Sequence, residues 1–550
     1  MMHDIIDSFD RRKRFYINLL LILIFLWSLT AINWNEDLVH PGGGVMIIQI
    51  LKSILQPNLS FEIIQIALES TWITVVYAVA GMTLAILYGS IAGVLASGIL
   101  TNNRILKKVS VGIFRGILSF TRAIHELVWA WLFVASFGLS PYAAIFALAI
   151  PYGGILGRIL ADALNDVPKQ PIQALKLAGA SNWKCLFYGY LPFVWNHMLS
   201  YTLYRFECAI RSSTIMSFVG LGGLGYQIQL SLADLKFDEV WTFLFFLILL
   251  VVIVDLWSGL LRNSNNSKFS AHALLRYFSI DRLSIYIFTL LVCTSWYYVI
   301  FVQQASLLKL FSSENAQYAL KFFTGLLGLN EVQPAFLNFD YWKTAIGLTW
   351  ETLLMSVMAI GIATIVTLLT VIPAARNFAN GTLTASSSFW QWLSFGIIRI
   401  AYIFSRAVPE LIWAMLIVFL LQPGLLPGAL ALALHNFGIL GKLCAEVIEE
   451  MDHKPVRNLS TAGANKAQML LYGVLPMVMP KFLSYIFYRW EVIMRTTIVV
   501  GFIGAGGLGQ EFKLSMSFFH YSEITLLLFC YLILVFIADF FSEWFRKAAK

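Results

Sequence analysis

Long, nearly unbroken apolar runs dominate this chain and leave it few ways to fold. About twelve of them approach or exceed the ~20 residues a helix needs to cross the hydrocarbon core of a bilayer. They lie at 15–32, 67–97, 111–137, 141–164, 190–218 and 240–261, and again at 284–303, 344–375, 388–421, 425–447, 475–500 and 524–543. In lipid the backbone must satisfy its own amides, so only helices or closed barrels can span, and runs this long and continuous exclude barrel strands. The expected fold class is therefore an all-α polytopic membrane protein. Composition agrees, with 59% of 550 residues hydrophobic and 12% charged. The run at 15–32 follows Arg11, Arg12, Lys13 and Arg14 but has no convincing small-residue cleavage site, and is expected to be a retained first helix rather than a signal peptide.

A formal charge of +8 could suggest nucleic acid, but the basic residues stand in short clusters beside apolar runs, where they set topology and meet anionic headgroups. Nucleic-acid binding is excluded on that ground. The cysteines Cys185, Cys208, Cys293, Cys444 and Cys530 mostly lie in or beside apolar segments with no CxxC spacing, so they read as packed free thiols rather than a disulfide framework or metal site. Lys and Arg also fix orientation. With the N-terminus inside, the clusters Arg11–Arg14, Arg104 with Lys107 and Lys108, Lys169 with Lys176 and Lys184, and Arg546 with Lys547 and Lys550 all fall inside. Both termini are then cytoplasmic.

The two halves repeat. From Arg122 onward a constant offset of 284 pairs Arg122 with Arg406, Glu126 with Glu410, Gly179 with Gly463, Glu207 with Glu491 and Arg211 with Arg495. An even number of spans per half makes the repeats parallel, with domains expected at 1–262 and 284–550 and a polar cytoplasmic linker at 263–283. The best-kept stretch is an Ala-Gly-Ala turn, Ala178, Gly179 and Ala180, followed by Leu191 and Pro192; Ala462, Gly463, Ala464, Leu475 and Pro476 repeat it at the same spacing. Positive-inside bias puts both copies in the cytoplasm.

Charges inside membrane helices are costly and normally face a partner or a wet cavity. Arg122, Glu126 and Trp129, like Arg406, Glu410 and Trp413, are spaced as one stripe of a continuous helix. Three readings are open for them: an intrahelical pair that locks the helix, a stripe lining a pathway in which Arg attracts an anion, or charges that snorkel to the interface. Glu207 with Arg211 and Glu491 with Arg495 share faces in the same way and are followed by Ser212, Ser213 and Thr214, or Thr496 and Thr497. Guanidinium and hydroxyl groups together suit a tetrahedral oxyanion, while a plain ion pair tying two helices is equally open. The glycine runs at 220–225 and 504–509 follow spans rather than strands, so they read as tight outer turns or re-entrant segments whose amides could meet an anion. Asp162 with Arg158, and Glu446 with Lys442, read as surface pairs. His125, His197 and His435 recur nowhere as histidine and suggest no ligand or catalytic role, and no GxxxxGK[ST] loop offers a phosphate cradle.

The combination of RAVPELIWA from Arg406, GILGKLCAEVIEE from Gly438, the Gly-to-Leu-Pro loop, YRWEVIMR from Tyr488 and GFIGAGGLGQE from Gly501 resembles the permease of phosphonate ABC importers, within the methionine-permease-like superfamily. The first half departs with His125 where the family has Pro, and both loops depart from the family's Glu-Ala-Ala opening, with Gln173, Ala174, Leu175 and Arg457, Asn458, Leu459. The resemblance implies a type I importer permease, not an enzyme, in a bacterial inner membrane. It further implies docking of two ATPase subunits on the two Gly-to-Pro loops, with ATP and Mg held by those subunits, and a binding protein delivering a phosphorus oxyanion from outside. One fused chain would replace the usual permease dimer. A twelve-helix secondary transporter of a small anion is the alternative, although in the major facilitator class the large inner loop falls between the halves.

Overall fold

Helices form where the apolar runs lie. The computed structural model describes residues 19, 22–32, 34, 38–266, 280–310, 312–384 and 387–549; the Arg11–Arg14 cluster, most of the expected linker and Lys550 fall outside them. The first series is α1 (Phe61–Ser97), α2 (Arg104–Ala123), α3 (Glu126–Phe137), α4 (Pro141–Asn165), α5 (Leu191–Met216), α6 (Leu224–Ala233) and α7 (Phe237–Asn266). After a helix at Ile280–Tyr297, the second is α8 (Phe339–Thr370), α9 (Phe389–Ala407), α10 (Glu410–Val418), α11 (Leu425–Glu449), α12 (Leu475–Gly501), α13 (Gly507–Ser517) and α14 (Tyr521–Ala549). Among the described residues the only bridge between extended segments joins Val39 to Leu421.

Eight described helices are long and apolar enough to cross a membrane, or eleven if each sharply bent pair counts once. The remaining expected span, 15–32, is described only in part. Two expected spans need correction: 111–137 and 388–421 are not continuous helices, because α2 and α3 meet at 92° and α9 and α10 at 94°. Pro409 explains the second break, since it has no N–H and pushes Val408 to extended backbone (φ −81°, ψ 121°). The first break occurs without proline. Ile124 is extended (φ −84°, ψ 128°), and His125 Nδ1 caps α3 by accepting Leu127 N–H at 3.1 Å.

In lipid, helices associate through close packing of small residues, and α1 meets α4 in that way. A Cβ on Gly89 would lie 2.8 Å from the Gly153 carbonyl oxygen, and one on Gly93 2.6 Å from that of Gly157. Gly154 and Gly438 let α4 and α11 approach the ends of α2 and α9; a Cβ there would fall 3.2 Å from Arg122 N and 2.7 Å from Arg406 N. The charged helices are thus held tightly from behind.

The compact units do not follow the repeat bounds expected at 1–262 and 284–550. One unit comprises 50–324, the other 1–49 with 325–550. In the first, the segment that leads the second repeat packs on α1, α4 and α7: Trp296 Nε1 donates to Thr83 Oγ1 (3.1 Å), Tyr142 OH to the Ala305 carbonyl (2.9 Å), and Trp257 Nε1 to Ser284 Oγ (3.0 Å). In the other, Phe25 covers Gly361 on α8, and Trp27 meets Trp350 edge to face at 5.1 Å. Each repeat's leading helix has been exchanged, because the bodies present equivalent aromatic surfaces: Trp72, six residues out of the main offset from Trp350, receives Tyr298 edge to face at 6.3 Å.

Candidate functional site

The two helix breaks separate residues that a straight helix would have put in one stripe. Arg122 lies in the last turn of α2 and Glu126 in the first turn of α3, and Arg406 and Glu410 are arranged alike on α9 and α10. The single-stripe expectation is therefore overturned. Each sign still sits where helix dipoles favour it, cation at a C-terminus and anion at an N-terminus. The indoles close each corner: Trp129 Nε1 donates to the Thr121 carbonyl (3.4 Å) and Trp413 Nε1 to that of Ser405 (3.1 Å). Glu126 Oε1 accepts a very short hydrogen bond from Ser212 on α5, and Tyr152 OH lies 2.8 Å from the same hydroxyl. Arg406 and Glu410 are buried, Arg122 and Glu126 half-buried.

The second set of charges pairs as its spacing predicts. Arg211 Nη2 lies 3.0 Å from Glu207 Oε1, and Arg495 Nη2 2.5 Å from Glu491 Oε1. Arg495 also reaches Asp539 on α14 at 2.8 Å, and Arg546 reaches Glu491 at 3.3 Å, so the cluster ties α12 to α14. Arg489 turns away to Asn436 Oδ1 on α11 (2.9 Å), and Arg205 stays on Tyr201. A further matched pair escaped the sequence reading: Arg115 Nε donates to the Ala96 carbonyl at 3.3 Å and its Nη2 reaches Asp162 at 3.1 Å. Arg399 does the same with Ala374 (2.8 Å) and, at very short range, Glu449. Asp162 is thus an interhelix anchor as well as a partner of Arg158 (3.0 Å).

The Gly-to-Leu-Pro loops are built alike. Gly179 (φ +80°) and Gly463 (φ +86°) take the left-handed turn that ends a short helix, and Ala180 N–H donates to the Leu175 carbonyl as Ala464 N–H does to that of Leu459, each at 3.0 Å. Ala178 and Ala462 are exposed beside them, and a Cβ on either glycine would meet nothing within 4 Å. The Tyr-Gly glycines serve packing instead: a Cβ on Gly189 would lie 2.7 Å from Ile172 Cδ1, and one on Gly473 3.0 Å from Leu459 Cδ1. Pro192 and Pro476 have no N–H to close an α-turn, and a π-turn precedes each at Cys185–Tyr190 and Met469–Val474. Leu191 and Leu475 open the helices that follow. Leu177, Trp183, Phe187, Tyr188, Leu471 and Tyr472 remain exposed around the two loops.

The glycine runs make tight turns, with positive φ at Gly220, Gly222 and Gly223 and at Gly504, Gly506 and Gly507. Several of their amides are taken. Leu224 N–H donates to Thr74 Oγ1 at 3.0 Å and Leu508 N–H to Thr352 Oγ1 at 2.9 Å, while Glu351 accepts Gly507 N–H at 3.1 Å. These hydroxyls belong to a second repeated motif, Thr71-Trp72-Ile73-Thr74 and Thr349-Trp350-Glu351-Thr352, hidden from a search at one constant offset because the earlier part of the repeat is displaced.

A duplicated bundle with broken helices and two matching loops defines a class. Residues 89–265 and 378–550 each match the family described as the binding-protein-dependent transport system inner membrane component, and the chain belongs to that family. It is a multi-span transport subunit, not an enzyme. Over 520 residues, 94% of this chain and 92% of the relative, it is 26% identical to the phosphate-import permease protein PhnE of Mycolicibacterium smegmatis. The phosphite transport system permease protein PtxC of Stutzerimonas stutzeri is 40% identical over 36% of this chain and 69% of that protein. The putative cryptic phosphonate transport system permease protein PhnE2 of Escherichia coli is 40% identical over 22% of this chain and 97% of that protein. An inward-facing structure of the MetNI methionine ABC transporter is 17% identical, with a TM-score of 0.32 over 37% of this chain and 95% of that one.

Proposed function

We propose that this chain is the membrane subunit of an ATP-driven importer of a phosphorus oxyanion: phosphonate, phosphite, phosphate or a phosphate ester. The supporting observation is the near full-length match to a phosphate-import permease, joined by phosphite and phosphonate permeases over parts of the chain. Gly179 and Gly463 head the loops on which two ATPase subunits dock, with ATP and Mg on those subunits. Supporting this are two exposed tips of the same construction and the apolar side chains around them. A binding protein delivers the anion from outside, both termini are cytoplasmic, and one fused chain takes the place of a permease pair.

Within the chain, Arg122 and Arg406 with Glu126 and Glu410 line the pathway, and Glu207, Arg211, Glu491 and Arg495 brace it. Non-helical backbone at membrane depth is tolerated where it is buried in protein or lines a wet cavity, and the first set stands at such breaks. The second is paired within its own helices and with α14. Uptake of inorganic phosphate, phosphite and methylphosphonate by proteoliposomes holding the chain, its ATPase and its binding protein tests the proposal. ATP-dependent uptake of at least one is expected. Arg122→Gln and Arg406→Gln should cut it about 10-fold or more, the scale of a lost charged hydrogen bond, in complexes that still assemble. Arg495→Gln should reduce assembly itself, since it removes the cation that links Glu491 to Asp539 on α14, and breaking a buried ion pair costs about 3–5 kcal/mol. Normal uptake in both Arg122→Gln and Arg406→Gln would remove the pathway role.

A further inference from the structure

Each half of the chain sets an imidazole against the acid at its helix break, yet draws it from a different place. In the first half the imidazole belongs to His125, within the break. Its Nδ1 accepts Leu127 N–H at 3.1 Å and its Nε2 stands 3.6 Å from Glu126 Oε2. In the second half Pro409 occupies that place, and the imidazole comes from His435 on α11. There Nδ1 lies 2.9 Å from the Val408 carbonyl oxygen, and Nε2 again stands 3.6 Å from the acid, Glu410 Oε2. The residue of α4 that matches His435 is Pro151. Histidine and proline have thus traded places between the repeats.

The trade has a physical logic. A carboxylate at the start of an intramembrane half-helix needs a polar partner, and both imidazoles are buried. A break in a helix needs either a proline or a cap to end the ladder. In the second half Pro409 makes the break, which frees α11 to supply the imidazole. His125 does both tasks in the first half, as cap through Nδ1 and partner through Nε2, so α4 can carry Pro151. Either way one ring stands between the backbone of the corner and the acid: Nδ1 accepts from Leu127 N–H in the first half and donates to the Val408 carbonyl in the second, and Nε2 faces the carboxylate 3.6 Å away in both.

We infer that His125 and His435 are equivalent positioning residues, each holding the acid of its helix break in place, and that the histidine and proline are exchangeable as a pair. The test uses the full chain in detergent with His125→Pro, Pro151→His and the double variant, which rewrites the first half in the pattern of the second. His125→Pro keeps a helix breaker but loses the imidazole, and should lower the fraction still folded after a heat challenge about 10-fold, within the range for contacting pairs. The double variant should return to within about two-fold of the unmodified chain. Pro409→His with His435→Pro should show the same rescue relative to His435→Pro alone. If His125→Pro does not insert at all, the yield of inserted protein replaces the heat challenge, and recovery in the double variant supports the inference. A double variant no better than His125→Pro, or a harmless His125→Pro, overturns it.

Discussion

At the scale of residues, the repeated loops use two glycines for different reasons. Gly189 and Gly473 give room to a neighbouring helix, whereas Gly179 and Gly463 have open space around them and are there for their positive φ. That difference separates backbone from surface effects. Asn tolerates the left-handed conformation, so Gly179→Asn with Gly463→Asn should keep uptake within about two-fold. Arg at the same positions puts bulk and charge on an exposed tip and should leave ATP hydrolysis running without uptake. Measuring both rates in the reconstituted complex decides; coupled transport at the normal rate in the Gly179→Arg, Gly463→Arg variant would end the docking role.

At the scale of elements, the short helices α6 and α13 are tied to the long helices α1 and α8 by a threonine hydroxyl at their first turn. The two ends are not equally protected. Glu351 holds an additional amide at α13, but Ile73 stands at the equivalent place beside α6 and can accept nothing. Thr74→Val leaves the Leu224 amide without its acceptor, at a cost of about 1–3 kcal/mol. Hydrogen exchange at the start of α6 should accelerate accordingly, and Thr352→Val should accelerate exchange at α13 less. Equal effects would show that Glu351 adds no protection.

At the scale of the whole chain, the leading helix of each repeat completes the body of the other. Phe25 and Trp27 come early in the sequence, yet they cover Gly361 and Trp350 on α8. Phe25→Ala with Trp27→Ala should therefore loosen the unit built from α8–α14 by about 1–3 kcal/mol, the scale of losing a half-buried ring and an edge-to-face aromatic contact. Exchange should rise along α8 and stay unchanged along α1. A rise confined to α1 would contradict the exchange of leading helices.

Much of this protein was legible in its sequence, and for a physical reason: lipid permits few structures. Apolar runs long enough to span must be helices, so the spans at 141–164, 240–261, 284–303 and 425–447 match Pro141–Asn165, Phe237–Leu261, Leu283–Val302 and Leu425–Glu449 closely. The constant offset marked the loops at Gly179 and Gly463 and the pairs Glu207–Arg211 and Glu491–Arg495, because contacts four residues apart are local to one helix. What stayed hidden depends on contacts between distant residues. Arg122, Glu126 and Trp129 have helical spacing, and only the corner at Ile124–His125 puts them on two helices. Histidines at unmatched positions looked unrelated because equivalence here is one of place, reached from α11 in one half and from the break itself in the other. Which body a leading helix completes is likewise absent from its own pattern of residues, since an apolar face specifies that it must be covered and leaves the partner to the surfaces that tertiary packing brings to it.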